Sequence, residues 1–449
     1  MAQPAIFLHV GICTLALHLR VVIKNKSLKL PDMKKEWLCL MVATGLFFLS
    51  NGQSIISSGT ILASAREDMA PGMQKRHTQY MQETNHGLPF VEEISLRTET
   101  DRFNVDRQEY LGRVSLNGWS EMRRVRELHS AELTAQQKTE RVYLHEALVD
   151  RYETIASIYQ VLQELSLREQ LQLVYEDKIT VLKKMASLNV KPDLDELIKA
   201  EYDLDEEMLN IESSHAQLEH LKNLVAILAP GAVGEWQLDT SHFITPAQME
   251  LVIDQLAVTV SQNPSLVQKQ NKLEEIDAEY DLEKAESNQI LDFLQVRYAG
   301  RPDENSFDQD FSFGAGFLLP FKGSSTVKFN ELKIEKNDAD QEAQIYENEL
   351  SRQLTIAMQK IKSLGIRYRM AEQQWKNSQA GFTLEKYGVA QTEGPFLLLS
   401  AKEMQLKREM ALLDVQRDML EEYLKVLDWN GQLSVEPQVN YLSGNLENY

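Results

Sequence analysis

The stretch FSFGAGFLLPF, residues 311–321, decides the fold expected for this chain. Apolar residues, most of them phenylalanine, occupy every second position, and serine or glycine lies between the first of them. A period of two with aromatics on one face and small residues on the other predicts a strand of a closed barrel. A second alternating stretch, 290–298, comes before it, and a turn-rich segment, 300–305, separates the two. The sequence therefore predicts a strand pair within residues 290–321.

A matching pair of alternating stretches lies within residues 88–117, and Gly112 and Gly314 are 202 residues apart. The first of these strands is weakly apolar, because Glu92 falls on the same face as Ile94. A charge that faces lipid costs up to roughly 2–4 kcal/mol at the bilayer midplane and much less near the interface. Either Glu92 lies at a membrane edge or the register differs by one or two residues. The alternative is a ribbon that crosses no membrane.

Long helical patterns follow each predicted strand pair. No glycine occurs between Gly118 and Gly231, and no proline occurs between Pro320 and Pro395. Within the first interval, apolar residues recur at spacings of four and three, which is a coiled-coil pattern. The residues that carry it are Leu148, Tyr152, Ile155, Tyr159 and Leu162. A helix over residues 119–189 spans roughly 100 Å at about 1.5 Å per residue, a length that suits an element crossing a wide gap.

Each long helix ends at a turn signal, after which a second helical pattern returns. The first signal, near residues 188–197, contains Asn189 and Pro192, and the second, near residues 387–399, contains Gly388. Asparagine and glycine tolerate the left-handed conformation that ends a helix, and proline does not continue one. The sequence therefore predicts two helical hairpins, each with a tip.

The two halves of the chain follow one plan of helix, strand pair, long helix, tip and returning helix. We expect the first copy over residues 53–235, the second over residues 236–432, and a C-terminal tail over residues 433–449. Each chain then has four strands, too few to close into a barrel alone. Because a membrane does not tolerate open sheet edges, several chains must pool their strands and helices. The expected fold class is mainly α with membrane β, in which long antiparallel coiled-coil helices join four strands per chain.

The first 52 residues are expected to be removed from the mature protein. A short basic start at residues 33–35 is followed by an apolar run at residues 37–49 and then by small or polar residues. This order is typical of a secretory signal peptide. Residues 1–32 are then an over-extended start, with Met33 as the true initiator. The apolar run is too short to span a bilayer, and the alternative is a buried hydrophobic helix.

Composition argues against several classes of function. Cys13 and Cys39 both lie in the leader, so the mature chain has no disulfide or cysteine metal site. The leader holds six basic and two acidic residues, and its removal changes the formal net charge from −20 to −24, which does not suit nucleic acid. The chain has no P-loop or nucleophile elbow, and His145-Glu146 begins an H-E-x-x-H motif that lacks its second histidine. The sequence predicts no enzyme, no cofactor and no metal site.

The order of these features resembles the TolC family of outer-membrane efflux proteins over roughly residues 60–430. The matching segments are NPSL at residues 263–266, which opens a helix, the strand at residues 311–321, and the second tip, where YGV at residues 387–389 precedes FLLL at residues 396–399. The order of the segments and their doubled spacing carry the resemblance.

The resemblance implies a homotrimer with a 12-stranded barrel in the outer membrane of a Gram-negative bacterium, stacked on a periplasmic barrel of 12 helices. It implies a passive exit duct for efflux or type I secretion, which works with a periplasmic adaptor and an inner-membrane pump. The tips would meet the adaptor. The docking candidates are Asn189, Val190, Pro192, Leu194, Leu197, Tyr387, Gly388, Val389, Pro395 and Phe396. Asp193, Asp195 and Glu393 are candidates for a constriction where carboxylates favour cations, and the alternative for each is a solvated helix end.

A periplasmic coiled-coil scaffold or adaptor that never enters a membrane is the alternative function. The long helices fit this alternative equally well, and the weakly apolar first strand favours it. It does not account for the strand at residues 311–321, because exposed aromatics on a strand invite aggregation in water.

Overall fold

The computed structural model describes residues 54–84, 87–100, 108–187, 194–231, 236–299, 311–317, 323–377 and 395–449. The chain divides into the units Met1–Ser54 and Ile55–Tyr449. All of the first unit except Ser54 lies outside the described residues, as does the expected signal peptide. The second unit is mainly helical with a few strands, which agrees with the expected fold class.

The bounds of the elements follow in chain order. The first are β1 (Ser54–Ile56), α1 (Ser58–Ala63), a 3-10 turn (Ser64–Glu67), α2 (Met69–Glu83), β2 (Val91–Thr100), β3 (Gln108–Leu116), α3 (Trp119–Ser187) and α4 (Leu194–Leu228). The remainder are β4 (Trp236–Leu238), α5 (Pro246–Gln255), α6 (Pro264–Ser287), β5 (Leu291–Ala299), β6 (Phe311–Phe317), α7 (Gly323–Lys376), α8 (Pro395–Asn430) and a 3-10 turn (Gln432–Ser434). Among the described helices, none has a stretch both long and apolar enough to cross a membrane.

The two longest helices, α3 and α7, contain 69 and 54 residues. At about 1.5 Å per residue, α3 is roughly 100 Å long. Leu148, Tyr152 and Ile155 of its heptad pattern are fully buried in the main hydrophobic cluster. The apolar stripe of α3 therefore fixes the face that the helix buries.

Shorter helices pack along the two long ones. One part of α3 packs against α2 and α6 and the other part against α4 and α8, and α7 packs against α6 and α8. The helix order is thus α2–α3–α6–α7 in one part and α4–α3–α8–α7 in the other. Each order is an open layer that ends at α2 or α4 on one side and at α7 on the other.

Asn263 joins the end of α8 to the start of α6. Its side-chain oxygen accepts hydrogen bonds from the amides of Ser265 (3.1 Å) and Leu266 (3.2 Å), which begin α6. Its side-chain nitrogen donates to the carbonyls of Asp428 and Trp429, both at 3.3 Å, near the end of α8. One buried amide therefore satisfies free backbone groups of two helix ends.

Arg151 of α3 also joins two helix ends by hydrogen bonds, here the end of α4 and the start of α2. Its guanidinium donates to both carboxylate oxygens of Asp68, at 2.8 and 2.5 Å, and to the carbonyl of Leu228. It also donates to the carbonyl of Ala147 (2.9 Å) and the hydroxyl of Ser64 (3.1 Å). The side chain is fully buried, and these five bonds use all five donors of an arginine.

The C-terminal segment, residues 433–449, packs into the main core. Leu442 is fully buried, and its carbonyl accepts a hydrogen bond from the amide of Ile244 at 2.9 Å. The Tyr152 hydroxyl donates to the carbonyl of Val439 at 2.8 Å. The end of the chain is therefore tied to α3 and to the segment before α5.

Gly431 lies in a tightly packed part of this region, which a substitution can test. Its φ is +79°, and a Cβ there would lie 2.5 Å from the carbonyl oxygen of Gln262. Both the left-handed conformation and the backbone clash penalise a side chain, so Gly431→Ala is expected to lower the free energy of unfolding by roughly 2–4 kcal/mol. Denaturant unfolding followed by circular dichroism measures this loss. Gly231→Ala is the control, because nothing lies within 4 Å of a Cβ there, and equal losses for both variants would contradict the packing described.

Candidate functional site

Strands from both halves of the chain form one antiparallel sheet in the order β2–β3–β5–β6. Ile94 lies opposite Val114, Val114 opposite Leu294, and Leu294 opposite Ala315. Directly opposite residues share a face of the sheet. The register therefore places the apolar residues of all four strands on the same side.

This apolar face is exposed to solvent in the single chain. The exposed fraction is 72% for Ile94, 76% for Leu96, 82% for Phe313 and 65% for Phe317. The strands β2 and β6 are the two edges of the sheet. An exposed apolar sheet with unpaired edges is an aggregation hazard in water, so this surface requires a partner, a lipid environment or both.

Aromatic rings lie at both ends of the sheet. At one end, Tyr298 lies between Tyr110 and Phe311, with ring centroids 6.3 and 5.0 Å away. At the other end, the centroids of Phe90 and Trp119 are 5.4 Å apart. Tyrosine and tryptophan are enriched where proteins cross membrane–water boundaries, so the two aromatic groups suit the two edges of a membrane.

The opposite face of the sheet is polar. Arg297 of β5 pairs with Glu109 of β3, and Arg97 pairs with Glu99 on β2 at 2.7 Å. The alternation of each strand thus separates an apolar side from a side that carries paired charges, as expected when one side faces water.

Glycines on the polar face of β6 make room for neighbouring side chains. Gln295 lies opposite Gly314, and Phe293 lies opposite Gly316. A Cβ at Gly314 would lie 2.7 Å from the Gln295 side chain, and one at Gly316 would overlap the Phe293 ring. The small residues in this stretch are therefore needed because long side chains of β5 lie across them.

At each of two β-bulges, one acidic residue has no directly opposite partner on the neighbouring strand and falls outside the alternation of the two faces. Between β2 and β3, Val91 rather than Glu92 lies opposite Leu116, and Glu92 is the extra residue. Asp292 is the extra residue at the corresponding bulge between β5 and β6. Of the two explanations offered for Glu92, the structure supports the change of register, because a bulge shifts the alternation by one residue. The expected place of Glu92 on the apolar face is wrong.

The end helices of the layer also carry exposed apolar stripes. On α7 the stripe consists of Val327, Ile334, Ile345, Ile356, Ile366 and Met370, which are 53–68% exposed. On α4 it consists of Leu194, Ile198, Tyr202, Leu209 and Ile227, which are 60–74% exposed. With 3.6 residues per turn, each set falls on one side of its helix. The helical layer, like the sheet, has two apolar edges without a partner in the single chain.

The ends of the two hairpins meet near the predicted tips. Leu197 of α4 and Phe396 of α8 pack against one small cluster of Ile179, Leu182 and Ala200. Among the other predicted tip residues, Leu194 is 60% exposed, and Asp195 and Pro395 are also exposed. The remaining candidates lie outside the described residues: Asn189, Val190, Pro192, Asp193, Tyr387, Gly388, Val389 and Glu393.

A buried ionic cluster joins α3 to α8 just behind these ends. The Nζ of Lys178 donates to Glu403, and the Nζ of Lys407 donates to the other oxygen of the same carboxylate at 2.7 Å. The side chain of Lys178 is only 9% exposed, and that of Glu403 is 16% exposed. The Phe396 ring lies 5.3 Å from the Lys178 ammonium, so the cluster touches the tip.

The electrostatics of this cluster favour the ionised pair. Burial of Glu403 opposes its ionisation, but hydrogen bonds from Lys178 and Lys407 outweigh burial and lower the pKa of the carboxyl. Burial also raises the pKa of the nearby Tyr175 to about 12, so this hydroxyl stays protonated at neutral pH. Glu403 therefore carries a charge that holds two lysines on two helices.

Only part of this ionic cluster is visible in the sequence. Glu403 and Lys407 have the i,i+4 spacing of a helical ion pair, so the sequence indicates these two members of the cluster. Lys178 is 225 residues from Glu403, so only the folded chain shows the third member. Across the described ranges, no group of three or more His, Cys, Asp or Glu side chains is placed to hold a metal ion.

Comparison with known proteins identifies solved structures that share this fold. No protein-family model matches the sequence, and no curated protein matches it. Three solved structures illustrate the structural matches. The outer-membrane channel OprN gives a TM-score of 0.61 at 12% identity, covering 83% of this chain and 89% of that one. CusC gives 0.58 at 13% identity, covering 84% and 93%. The open MtrE outer membrane channel of Neisseria gonorrhoeae gives 0.58 at 13% identity, covering 83% and 88%.

Each comparison extends over most of both chains, so the likeness concerns the whole architecture of sheet and long helices. At these identities the likeness shows the fold. The resemblance to TolC-type outer-membrane efflux channels predicted from the sequence is confirmed at the level of the fold.

Proposed function

We propose that this chain is one subunit of a passive exit duct in the outer membrane of a Gram-negative bacterium. The observation that carries the proposal is the four-stranded sheet with one exposed apolar face, one polar face and two unpaired edges. Closing such sheets edge to edge satisfies the backbone and turns the apolar faces to lipid. The polar faces then surround an aqueous lumen.

An assembly of three chains would close both the sheet and the helical layer into barrels. Four strands and four helix positions per chain give 12 of each in a homotrimer. Because barrel diameter grows with strand number, such a barrel is wider than the eight-stranded barrels whose interior is filled by side chains. The stripes on α4 and α7 support this assembly, because α4 of one chain then packs against α7 of the next. Two repeats, over residues 53–235 and 236–432, supply the strands and helices, and removal of residues 1–52 accompanies export.

The partners of the duct are a periplasmic adaptor and an inner-membrane pump. The structural neighbours are channels such as OprN and MtrE, and CusC forms a transmembrane channel. We propose that the tip residues dock the adaptor and that Asp193, Asp195 and Glu393 line the constriction. The chain catalyses no reaction in this account, and the pump supplies the energy for export.

Membrane fractionation separates this duct from a periplasmic scaffold. Cells that produce the full chain are broken, and the outer-membrane fraction is washed with carbonate and then with high salt. The duct stays in the membrane pellet, because its apolar sheet lies in lipid. Release of the chain into the wash would contradict the duct and favour the scaffold.

Loosening the ionic cluster behind the tips is expected to open the duct. Glu403→Gln leaves the buried Lys178 ammonium without an anion, and the packing of α3 on α8 loses roughly 3 kcal/mol. The measurement is single-channel conductance in a planar bilayer, which should rise. Glu201→Gln is the matched control, because Lys183 and Glu201 are 59% and 48% exposed, and such surface pairs contribute about 1 kcal/mol or less. Equal conductance of both variants and the parent would exclude a gating role.

The same ionic cluster should make the conductance of the duct depend on pH. The pKa of Glu403 is lowered in the folded protein, so its stabilising contribution is complete above the ordinary range of a glutamate. This contribution is lost as the pH falls through the lowered value. Conductance titrated from neutral to acidic pH should therefore hold steady until the pH drops below that ordinary range and then rise. A rise near neutral pH would assign gating to another group.

A further inference from the structure

A large cavity lies between elements from both ends of the chain. It has a volume of about 690 Å³. It is lined by Arg66 of the first 3-10 turn, by parts of α2 and α3, by Gln262 before α6, and by residues 434–436, which start at the end of the last 3-10 turn. Pockets for small molecules are commonly about 300–1,000 Å³. The cavity therefore has room for a small organic molecule rather than for a single ion.

Three cationic side chains line this cavity: Arg66, Lys75 and Arg141. Arg66 has a weak ion pair with Glu436 at 3.9 Å, in which the side chains are 54% and 80% exposed. Within the described part of the chain, neither Lys75 nor Arg141 has an ion pair, and the Nε of Arg141 is buried without a hydrogen-bond partner. In a chain with a net charge of −20, a cavity whose lining has two cations without an ion pair is unexpected.

Polar groups add to the cations. The Ser434 residue is 4% exposed, and its hydroxyl is buried without a partner among the described residues. The lining also includes the amides of Gln137 and Gln262. Hydroxyl, amide and guanidinium groups are donors for anionic oxygens, so the lining offers several kinds of donor to one ligand.

We propose that this cavity binds a small organic anion that carries carboxylate or phosphate groups. Arg141 and Lys75 supply the main charge, and Arg66 adds to it when Glu436 swings away into solvent. The second carboxylate of the lining, Glu140, limits the excess positive charge to about one, which favours a small anion over a large polyanion. Recognition is by charge-assisted hydrogen bonds.

Occupancy of this cavity would tie four separate segments together. The lining brings residues of α2 and α3 against the segment before α6 and the segment after α8. A ligand that binds only the folded chain stabilises it in proportion to its concentration above the dissociation constant. The anion would therefore stabilise the fold as a whole, independently of any role of the chain as a duct.

Isothermal titration of the purified mature protein with citrate, at low salt, tests the proposal. Inorganic pyrophosphate is titrated in a second arm. The double variant Lys75→Gln/Arg141→Gln is expected to bind about tenfold or more weakly, because it loses two charge-assisted contacts. The control Arg76→Gln/Arg126→Gln removes exposed cations from the same two helices outside the lining, and it should bind within about twofold of the parent.

Thermal unfolding provides a second measurement that does not rely on titration heats. Citrate or pyrophosphate should raise the unfolding midpoint of the parent and of the control but not of the double variant. Binding of citrate alone assigns carboxylates, binding of pyrophosphate alone assigns phosphates, and binding of both assigns recognition by charge. Binding of neither probe, or equal binding by parent and double variant, would overturn the proposal. Circular dichroism of each variant checks that the helices have formed.

Discussion

Replacing Arg151 by methionine is expected to lower the free energy of unfolding by roughly 3–5 kcal/mol. The guanidinium is fully buried and donates to Asp68, Leu228, Ala147 and Ser64. Methionine has a similar reach but no donor, so the Asp68 carboxylate loses its partner and the carbonyl that ends α4 loses its charged donor. The junction between α4 and α2 then loses its charged bridge and keeps the hydrogen bond from the Ser64 hydroxyl to the Leu228 carbonyl at 3.3 Å.

Denaturant unfolding measures the loss, and Arg123→Met is the control. Arg123 lies on the same helix in a surface pair with Glu127 and is 77% exposed, so its replacement should cost about 1 kcal/mol or less. The double variant Arg151→Met/Asp68→Leu removes both charges and should recover part of the stability, because an unpaired buried charge costs more than an apolar pair. No difference between Arg151→Met and Arg123→Met would show that Arg151 does not hold the junction.

A positive charge on the apolar face of the sheet is expected to block membrane insertion. Phe313 lies opposite Val296 in the middle of β6 and is 82% exposed. Arginine at the midplane of a membrane strand costs roughly 2–4 kcal/mol, and a homotrimer carries this cost three times. Phe313→Arg should therefore lose its place in the carbonate-resistant membrane fraction, whereas Phe313→Leu should keep it.

The control for charge alone is an arginine on the polar face. Ser115 lies opposite Glu93 on β2, which favours a cation at this position. Ser115→Arg should remain in the membrane fraction. If Phe313→Arg also remained there with a normal yield, the apolar face would not face lipid, and the orientation of the sheet proposed here would be wrong.

The sheet could be predicted from sequence because its signal is local. Alternation at residues 311–321 and 290–298 depends on neighbouring positions, and period two directly indicates which side chains share a face. The bulge at Glu92 could not be predicted in this way. A bulge is defined by pairing with a second strand, here β3, and a single strand does not show where one residue is skipped.

For the long helices too, the features set by neighbouring residues could be predicted, and the contacts between distant residues could not. The heptad stripe of α3 predicted a buried face, and its residues Leu148, Tyr152 and Ile155 are fully buried. The two junctions were not predicted, because Arg151 is 83 residues from Asp68 and Asn263 is 165 residues from Asp428. Contacts of this kind depend on which helix ends the fold brings together.

For the same reason, the sequence indicated the tip residues of the candidate site but not the ionic pair behind them. Leu197 and Phe396, which are both predicted tip residues, pack against one cluster at the hairpin ends, and their docking role is still a prediction. Asp193 and Glu393 fall outside the described residues, and their place at a constriction is still a prediction. The Lys178–Glu403 pair lies between two helices that belong to different predicted repeats, so no internal repeat signal pointed to it.

The most direct test of the account is the single-channel conductance of the purified mature protein in a planar bilayer, measured alongside its oligomeric mass. We expect a trimer with a small, cation-selective conductance, since acidic residues are proposed to line the closed tips. Asp193→Ala and Asp195→Ala should raise the conductance and weaken the selectivity for cations. A monomer or dimer that never inserts would show that the sheet does not build a barrel, and the scaffold function would then replace the duct.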